Sequence, residues 1–279
     1  MKIYSPAKIN LFLKITGKRP DGYHDLITLM CCIDLYDTIS IAFNAKKISV
    51  ICNDPKVPED KTNIAHSAAT LFLKSLNKQE CVEICINKNI PVGAGLGGGS
   101  SNAASVLLGL NHYYGNPFSQ EELMSMGQSI GADVPFFIFK KPAIASGIGE
   151  NLETYEGLTP YKILLVYPGF SVSTTKVYNN FTLGLTKLKK KHNFHLSKNQ
   201  EFNIEYHLYN DLEKVTASWY PDIIAVKEAL LRHGARGALM TGSGPTIFGL
   251  FSDTEKAQSA NYSLSKNKKW QLFLADMLV

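Results

Sequence analysis

A glycine-rich segment at residues 91–104 constrains this chain more than any other feature. It reads Pro-Val-Gly-Ala-Gly-Leu-Gly-Gly-Gly-Ser-Ser-Asn-Ala-Ala, and five glycines fall within the seven residues 93–99. Because glycine has no Cβ atom, such a loop can approach a ligand closely and adopt a positive φ at little cost. A helix-forming stretch follows, and its free N–H groups and positive dipole end would face the loop. The segment therefore predicts a phosphate-binding site.

Several types of glycine loop are compatible with part of this pattern. Gly93, Gly95 and Gly98 satisfy the dinucleotide fingerprint G-x-G-x-x-G, which requires an acidic residue about 20 residues further on. The nearest acids, Glu121 and Glu122, open a different helix. A Walker A loop needs a lysine that is missing here, and a protein-kinase loop needs Val-Ala-Ile-Lys and His-Arg-Asp strings that do not occur. The alternative without function is a tight strand-to-helix turn that binds nothing.

Composition indicates a folded enzyme-sized chain. Its 279 residues allow one large domain or two smaller ones, and 45% hydrophobic with 19% charged residues excludes general disorder. The net charge of +5 suits an anionic substrate. The N-terminus has no apolar signal core and no apolar run approaches ~20 residues, so we expect a cytoplasmic protein without a membrane partner.

The cysteines and the one basic cluster carry weaker signals. Five cysteines without a CxxC pair do not indicate a disulfide framework, and Cys81 and Cys85 are expected to be buried on one strand face. Four lysines lie between Lys187 and Lys191, followed by His192. Aromatic residues are not interleaved with them as a nucleic-acid stacking surface requires, so a solvated loop is the simpler interpretation.

The first strand is predicted from strict alternation. Ala7 to Ile15 places apolar side chains on one face and Lys8, Asn10 and Phe12 on the other. The simplest interpretation puts Lys8 and Asn10 in water. Phe12 on the same face, and the scarcity of surface charge around it, argue for a second buried face instead.

The remaining periodicity predicts mixed helices and strands. Further strands are predicted at 26–35, 38–43, 48–52, 82–86, 136–139, 163–166, 238–240 and 247–251, and helices at 62–76, 100–114, 119–130, 174–181, 201–217 and 222–232. Because strands and helices do not alternate strictly, an α+β fold in two lobes is favoured. A change in composition near residues 156–160 predicts domains at 1–158 and 159–279.

Few side chains outside the loop suggest chemistry. Asp133 stands in an apolar stretch, where a carboxylate is costly to bury unless paired, so it either has a cap or turn role or pairs with a lysine. His24 is ionisable near neutral pH, and Tyr23 beside it could stack on a base. The turn at 242–244 is either only a hairpin or a second glycine-rich segment that lines the phosphate site. Neither His-Glu-x-x-His nor Gly-x-Ser-x-Gly occurs, so a metal, if used, is Mg²⁺ delivered with a nucleotide.

Taken together, these segments resemble the GHMP small-molecule kinases. Residues 91–104 look like the ATP-binding motif of that family, Pro-Ala-Lys-Ile-Asn-Leu at 6–11 like its first motif, and Thr-Gly-Ser-Gly-Pro-Thr at 241–246 like its third. Gly-Tyr-His at 22–24, Gly-Ala-Asp-Val-Pro-Phe-Phe at 131–137 and Asn-Asp-Leu-Glu at 210–213 narrow the resemblance to members that act on CDP-methylerythritol in non-mevalonate isoprenoid synthesis.

The resemblance implies a fold, a reaction and site residues. The fold is a two-lobed GHMP kinase, with an N-terminal lobe like the second domain of ribosomal protein S5, a ferredoxin-like C-terminal lobe, and ATP between them. The catalytic pair is Lys8 and Asp133. The residues implied for ATP binding are Pro91, Val92, Gly93, Ala94, Gly95, Leu96, Gly97, Gly98, Gly99, Ser100 and Ser101. Those implied for substrate binding are Asn10, Tyr23, His24, Thr174 and Tyr178.

The expected partners are ATP with Mg²⁺ and the small-molecule acceptor, with no nucleic acid, in a monomer or weak homodimer. Three other functions stay open at this point. These are a GHMP kinase of another alcohol such as homoserine or mevalonate, a non-catalytic S5-like nucleic-acid-binding protein that uses the lysine run, and a nicotinamide-dependent oxidoreductase.

Overall fold

The structure, a computed structural model, describes residues 1–182 and 200–279 and divides them into two compact units. The first unit contains Met1–Ala7, Leu35–Val92 and Gly97–Lys140, and the second contains Lys8–Asp34, Gly93–Leu96 and the described part of Lys141–Val279. The lysine run from Lys187 to Lys191 lies outside the described residues. The domain boundary between residues 158 and 159 stays a prediction.

The α+β class expected from the sequence is confirmed. The described strands are β1 (Lys2–Lys18), β2 (His24–Phe43), β3 (Ser49–Cys52), β4 (Val82–Asn87), β5 (Ala143–Gly147), β6 (Asn151–Thr154), β7 (Lys162–Tyr167), β8 (Tyr209–Asn210), β9 (Gly237–Met240), β10 (Ile247–Phe251) and β11 (Gln271–Leu278). The described helices are α1 (Ile64–Ser75), α2 (Gly98–Tyr113), α3 (Gln120–Ile130), α4 (Val134–Phe139), α5 (Thr174–Asn180), α6 (Ile204–His207), α7 (Asp211–Trp219), α8 (Asp222–Arg232) and α9 (Thr254–Leu264).

The first unit packs helices α1 to α4 against a small sheet. The end of β2 pairs antiparallel with β4, and β3 pairs parallel with β4. Side chains of β4 alternate between buried and exposed, as expected for a strand with one solvated face. Asn63 caps α1 and Ser119 forms a capping box on α3, so both predicted helix starts are confirmed.

The second unit contains three neighbouring strands, β7, β9 and β10, that are buried on both faces. β7 pairs antiparallel with β10 and β11, and β10 pairs antiparallel with β9. β5 pairs antiparallel with β2 and β6, and β8 pairs parallel with β1. Helices α7, α8 and α9 cover one apolar core that includes Leu164, Leu230 and Phe251.

Strand β1 has no solvated face over its middle residues. Ala7, Ile9 and Leu11 are fully buried, and Lys8 and Asn10 on the opposite face are 4% and 3% exposed. The interpretation that places Lys8 and Asn10 in water is therefore wrong. A buried ammonium and a buried amide require polar partners, and these partners define the site described below.

Two predicted elements are wrong for local reasons. Residues 136–139, expected as a strand, belong to helix α4, because a short run of buried apolar residues has the same pattern in either structure. The helix expected at 201–217 is interrupted by β8, and Asn210 then caps α7 through its side chain. The string Asn-x-x-Glu at 210–213 is itself a capping signature that marks this second start.

The cysteines fall into two classes that differ from the expectation. Cys31 and Cys32 are buried on β2, whereas Cys85 is exposed and Cys52 and Cys81 are partly exposed. The prediction that Cys81 and Cys85 are buried is therefore wrong. Cys85 lies on the solvated face of β4, and Cys81 precedes that strand. Burial raises the pKa of the Cys31 thiol, which keeps it protonated.

Candidate active site

The glycine loop alternates left-handed glycines with buried side chains. Gly93, Gly95 and Gly97 have φ values of 69°, 80° and 71°. Between them, Ala94 and Leu96 are 2% and 1% exposed and anchor the loop in the protein. Ala94 is absent from the non-glycine residues with positive φ among those described, so a side chain is tolerated there. The alternation leaves backbone N–H groups, not side chains, as the groups the loop can offer to a ligand.

Gly95 is required by space as well as by conformation. A Cβ atom at this position would lie 2.5 Å from the carbonyl oxygen of Thr241 and 2.9 Å from that of Gly244. The Thr246 backbone N–H also donates to the Ala94 carbonyl at 3.3 Å. The glycine loop and the 241–246 turn are therefore in direct contact within the second unit.

We expect Gly95→Ala to lower the free energy of unfolding by about 2 kcal/mol or more. An L-residue in the left-handed region costs roughly 1–2 kcal/mol, and the contact with two carbonyl oxygens adds to that cost. Gly115→Ala is a matched control, because Gly115 has a φ of 82° but nothing within 4 Å of its Cβ position. Urea denaturation of both variants checks this, and equal losses would contradict the steric argument.

Helix α2 starts directly after the loop and keeps its first N–H groups available. Its N-cap, Gly97, makes no side-chain cap hydrogen bond, and the first turn contains no acidic residue. Both properties suit an anion at the helix N-terminus. Ser101, one of the predicted ATP-binding residues, is fully buried, and its hydroxyl accepts a hydrogen bond from Ser5 at 2.8 Å. Its side chain therefore faces the interior of the first unit, while Ser100 is partly exposed.

A buried carboxylate that the sequence analysis missed holds the start of this loop. Asp37 is fully buried and accepts hydrogen bonds from the backbone N–H groups of Asn89 and Ile90 at 2.8 and 2.9 Å. It also accepts from Asn102 Nδ2 at 2.9 Å and forms an ion pair with Lys88. Asp37 thereby ties the chain entering the loop to helix α2 leaving it. The sequence offered little signal, because β2 carries three aspartates, Asp25, Asp34 and Asp37, and the local pattern does not show which one is buried.

Lys8 lies in the second unit with its ammonium held by Asn10. Lys8 Nζ donates to Asn10 Oδ1 at 2.6 Å, and the Lys8 backbone N–H donates to the Leu96 carbonyl of the glycine loop at 3.0 Å. A Cβ atom on Gly242 would lie 3.6 Å from Lys8 Nζ. The first and third sequence motifs and the middle of the second therefore meet at Lys8.

The 241–246 turn is fixed from behind by Asn210. Asn210 Nδ2 donates to the carbonyl oxygens of Met240 and Gly242 at 2.7 and 2.8 Å, and its Oδ1 accepts from Leu212 N–H at the start of α7. Thr216 adds a hydrogen bond to the Ser243 carbonyl at 3.1 Å. The Asn-Asp-Leu-Glu motif thus acts as a support for the glycine turn.

Asp133 lies in the first unit, immediately before helix α4. Its backbone has φ −86° and ψ −8°, its side chain is partly buried, and that side chain makes no cap hydrogen bond to α4. Asp133 therefore occupies the N-cap position of α4 within a turn, but its side chain does not cap the helix. Pro135 in the first turn of α4 sets the helix start there without a side-chain cap.

The predicted substrate residues of the second unit form two contacts. The ring of His24, which is 5% exposed, lies 5.5 Å from that of Tyr178, centroid to centroid. Thr174 Oγ1 lies 2.8 Å from Ser243 Oγ, which joins α5 to the glycine turn. Tyr23 is 60% exposed, so its ring presents a free aromatic face. Burial, with a smaller effect of Lys18, lowers the pKa of His24 below its ordinary value.

The described residues contain neither a cluster of metal-ligating side chains nor a membrane-spanning helix. Residues 1–182 and 200–279 contain no group of three or more His, Cys, Asp or Glu side chains arranged to hold a metal ion. No helix in that same part of the chain is long and apolar enough to span a bilayer.

Comparison with known proteins identifies the class. Residues 63–141 match the family model of the GHMP kinase N-terminal domain, and residues 192–269 match that of the GHMP kinase C-terminal domain. The chain belongs to the GHMP kinases. This decides among the glycine loops considered above, because the loop falls within the first matched region.

Relatives narrow the assignment further. The chain is 46% identical over 275 residues to the 4-diphosphocytidyl-2-C-methyl-D-erythritol kinase of Geobacter sp. (strain M21), covering 97% of this chain and 96% of that protein. It is 45% identical to the same kinase of Syntrophotalea carbinolica, with 98% and 97% covered. A crystal structure of 4-(cytidine 5'-diphospho)-2C-methyl-D-erythritol kinase matches with a TM-score of 0.79 at 31% identity, covering 99% of both chains. Within the GHMP kinases, the chain belongs with this kinase family.

Proposed function

We propose that this protein transfers the γ-phosphoryl group of ATP to the 2-hydroxyl of 4-diphosphocytidyl-2-C-methyl-D-erythritol, giving the 2-phosphate and ADP. The supporting observation is the 46% identity over 97% of the chain to a curated kinase of that name. The product would serve the non-mevalonate route to isoprenoid precursors.

ATP is proposed to bind along residues 91–101. The first N–H groups of α2 and the backbone of the left-handed glycines can hydrogen-bond its phosphates, and the helix dipole adds a favourable potential. Because Ala94, Leu96 and Ser101 are buried, we assign them a supporting role within this segment. The residues placed in contact with the phosphates are Gly93, Gly95, Gly97, Gly98, Gly99 and Ser100.

Lys8 and Asp133 are proposed as the catalytic residues. Asp133 accepts the proton of the acceptor hydroxyl, and the Lys8 ammonium neutralises charge on the transferred phosphoryl group. Phosphoryl transfer depends mainly on positioning and electrostatics, so a carboxylate is a sufficient base. The short bond from Lys8 Nζ to Asn10 Oδ1 fixes the direction of the ammonium, which supports the positioning role.

Mg²⁺ is proposed to enter with the nucleotide. Magnesium in kinases is held by substrate phosphates, water and one or two carboxylates, without a dedicated cage of protein ligands. When bound, the ion would neutralise part of the negative charge of the phosphates.

The acceptor is proposed to bind through Asn10, Tyr23, His24, Thr174 and Tyr178. Tyr23 and Tyr178 offer aromatic faces to the cytosine ring, and the neutral His24 ring offers one donor and one acceptor to its edge. The contact of His24 with Tyr178 and that of Thr174 with Ser243 support a single acceptor-binding surface in the second unit.

Protonation of His24 should weaken acceptor binding at low pH. Since burial lowers its pKa, His24 is neutral at pH 7, and protonation at lower pH removes its acceptor nitrogen. The KM for the cytidine acceptor should therefore be flat above about pH 6.5 and rise below it. Burial of the neutral His24 ring also makes folding stability depend on pH. This contribution to stability is fully present above the unfolded-state pKa of about 6.5, and it is lost as the pH falls through the lower folded-state pKa.

Steady-state kinetics between pH 5.5 and 8 would measure this dependence, with the KM for ATP as the internal reference. The control is His24→Gln, which keeps a donor and an acceptor but does not titrate. The explanation is wrong if His24→Gln shows the same rise in acceptor KM as the parent protein.

The function itself is tested by ADP release with three acceptors. We expect Mg²⁺-dependent turnover with 4-diphosphocytidyl-2-C-methyl-D-erythritol, and little with homoserine or mevalonate. Product phosphorylated at the 2-position, identified by ³¹P NMR, completes the test. Preferential turnover of homoserine or mevalonate would replace the proposed substrate, and an absence of ADP release with all three would remove the kinase assignment.

A further inference from the structure

Three buried side chains of the second unit form a line of hydrogen bonds that ends at the Lys8 ammonium. Thr28 Oγ1 lies 2.6 Å from the carbonyl oxygen of Phe12, and Asn10 Nδ2 lies 2.8 Å from Thr28 Oγ1. Asn10 Oδ1 then accepts from Lys8 Nζ at 2.6 Å. Thr28 is 3% exposed and stands on β2, outside every motif of the sequence analysis.

The chemistry of each group fixes the direction of the whole line. The Phe12 carbonyl can only accept, so the Thr28 hydroxyl must donate its hydrogen there. The Thr28 oxygen is then an acceptor, and it must face the NH₂ group of Asn10. With NH₂ on the Thr28 side, the Asn10 carbonyl oxygen faces Lys8. An amide rotated by 180° would direct its NH₂ group at the ammonium, placing two donors against each other.

Thr241 supports the same orientation from the other side. Its Oγ1 accepts from the Asn10 backbone N–H at 3.0 Å and donates to Asn10 Oδ1 at 3.3 Å. This donor acts on the oxygen that already receives Lys8, and at the longer distance it is the weaker of the two contacts to Oδ1. The Nδ2 end of the amide is held by Thr28. Loss of Thr28 would therefore leave the Nδ2 end of the amide without its acceptor, so that only the contacts to Oδ1 would hold the Asn10 side chain.

We infer that Thr28 is a positioning residue of the phosphoryl-transfer reaction, acting through Asn10 to hold the Lys8 ammonium in place. The inference rests on the proposed role of Lys8. In this role the buried Thr28 hydroxyl keeps the carbonyl oxygen of Asn10, and not its NH₂ group, against the Lys8 ammonium.

The direct test is Thr28→Val, which removes the hydroxyl with almost no change of shape. We expect kcat to fall by roughly ten- to a hundredfold, the range for losing a hydrogen bond on which a charged group depends, with a smaller change in the KM for ATP. Thr28→Ser keeps the hydroxyl and should restore most of kcat. A Thr28→Val enzyme with the parent kcat, or a serine variant as slow as the valine variant, overturns the inference.

General destabilisation is separated from positioning by two comparisons. Val226→Ala shortens a fully buried side chain of α8 in the same unit, and it should lower the melting temperature but leave kcat unchanged. In an Asn10→Ala background, Thr28→Val should cost no further kcat, because the amide through which Thr28 acts is gone. Fully additive losses in the double variant contradict the inference.

A readout that needs no catalysis keeps this inference distinct from the proposed function. The side-chain NH₂ resonances of Asn10, assigned by their loss in Asn10→Ala, should shift in Thr28→Val and return near their parent positions in Thr28→Ser. Unchanged resonances in Thr28→Val overturn the inference even if the kinase is active. If the resonances shift but the protein releases no ADP, Thr28 still orients Asn10. In that case the kinase function is rejected, and the role of Thr28 in phosphoryl transfer is rejected with it.

Discussion

Replacement of Asp133 with asparagine should lower kcat by about 10²-fold or more, with a smaller change in the KM for ATP. General-base assistance contributes typically 10²–10⁴-fold, and the amide keeps the shape of the side chain but cannot accept a proton. Since the Asp133 side chain makes no cap hydrogen bond to α4, its loss should leave the helix start intact. Steady-state kinetics measures kcat and the KM for ATP. A thermal melt on the same sample measures whether the fold is retained.

The control for Asp133→Asn is the same substitution at Asp60. Asp60 belongs to the same unit and forms a local turn through Thr62, where it accepts hydrogen bonds from both the backbone N–H and the hydroxyl. Asp60→Asn should leave kcat unchanged. An Asp133→Asn enzyme with parent-like turnover would remove Asp133 from the role of base, and a large loss of stability instead would indicate a structural role.

Replacement of Asp37 with alanine should destabilise the protein by about 3–5 kcal/mol, the cost of removing one member of a buried ion pair. Both side chains of the Asp37–Lys88 pair are almost fully buried, so the substitution leaves the Lys88 ammonium without its counter-charge. The N–H groups of Asn89 and Ile90 lose their acceptor as well. Chemical denaturation monitored by circular dichroism measures the loss.

The Lys162–Asp276 pair provides the matched comparison for Asp37. Its side chains are 39% and 48% exposed, and exposed pairs contribute about 0–1 kcal/mol, so Asp276→Ala should change stability little. The double variant Asp37→Asn with Lys88→Met should recover part of the loss, because it removes the uncompensated charge. Equal effects of Asp37→Ala and Asp276→Ala would contradict the importance assigned to burial.

The parts of the fold that the sequence predicts are those specified by local chemistry. Each of these features depends on a few adjacent residues. They are the sequence alternation in β1 and β4, the Asn63 and Ser119 caps, and the run of left-handed glycines. The strand predicted at 136–139 is wrong because a buried run of four apolar residues has no periodicity that distinguishes a helix from a strand. The interruption before α7 depends on the pairing of β8 with β1, a contact that joins residues nearly two hundred positions apart.

The same distinction applies to the site. The glycine loop and the Gly-Tyr-His segment can be identified from adjacent residues. The contacts of Lys8, by contrast, depend on which side chains surround a buried strand face, and Asn10 reaches Thr241 across 231 positions. Asp37 and Thr28 were missed for the same reason, since both lie on β2 and their hydrogen-bond partners, Asn102 and Asn10, belong to other elements.

The difference in exposure between the two classes of cysteine makes their alkylation a measure of local unfolding around β2. A thiol reagent applied to the native protein meets the exposed Cys85 at once. Cys31 and Cys32 are shielded on a strand that pairs with β5 and β11, and the raised pKa of Cys31 slows its reaction further. The number of alkylated sulfurs counted by intact mass therefore reports when β2 separates from its neighbours, without any added label.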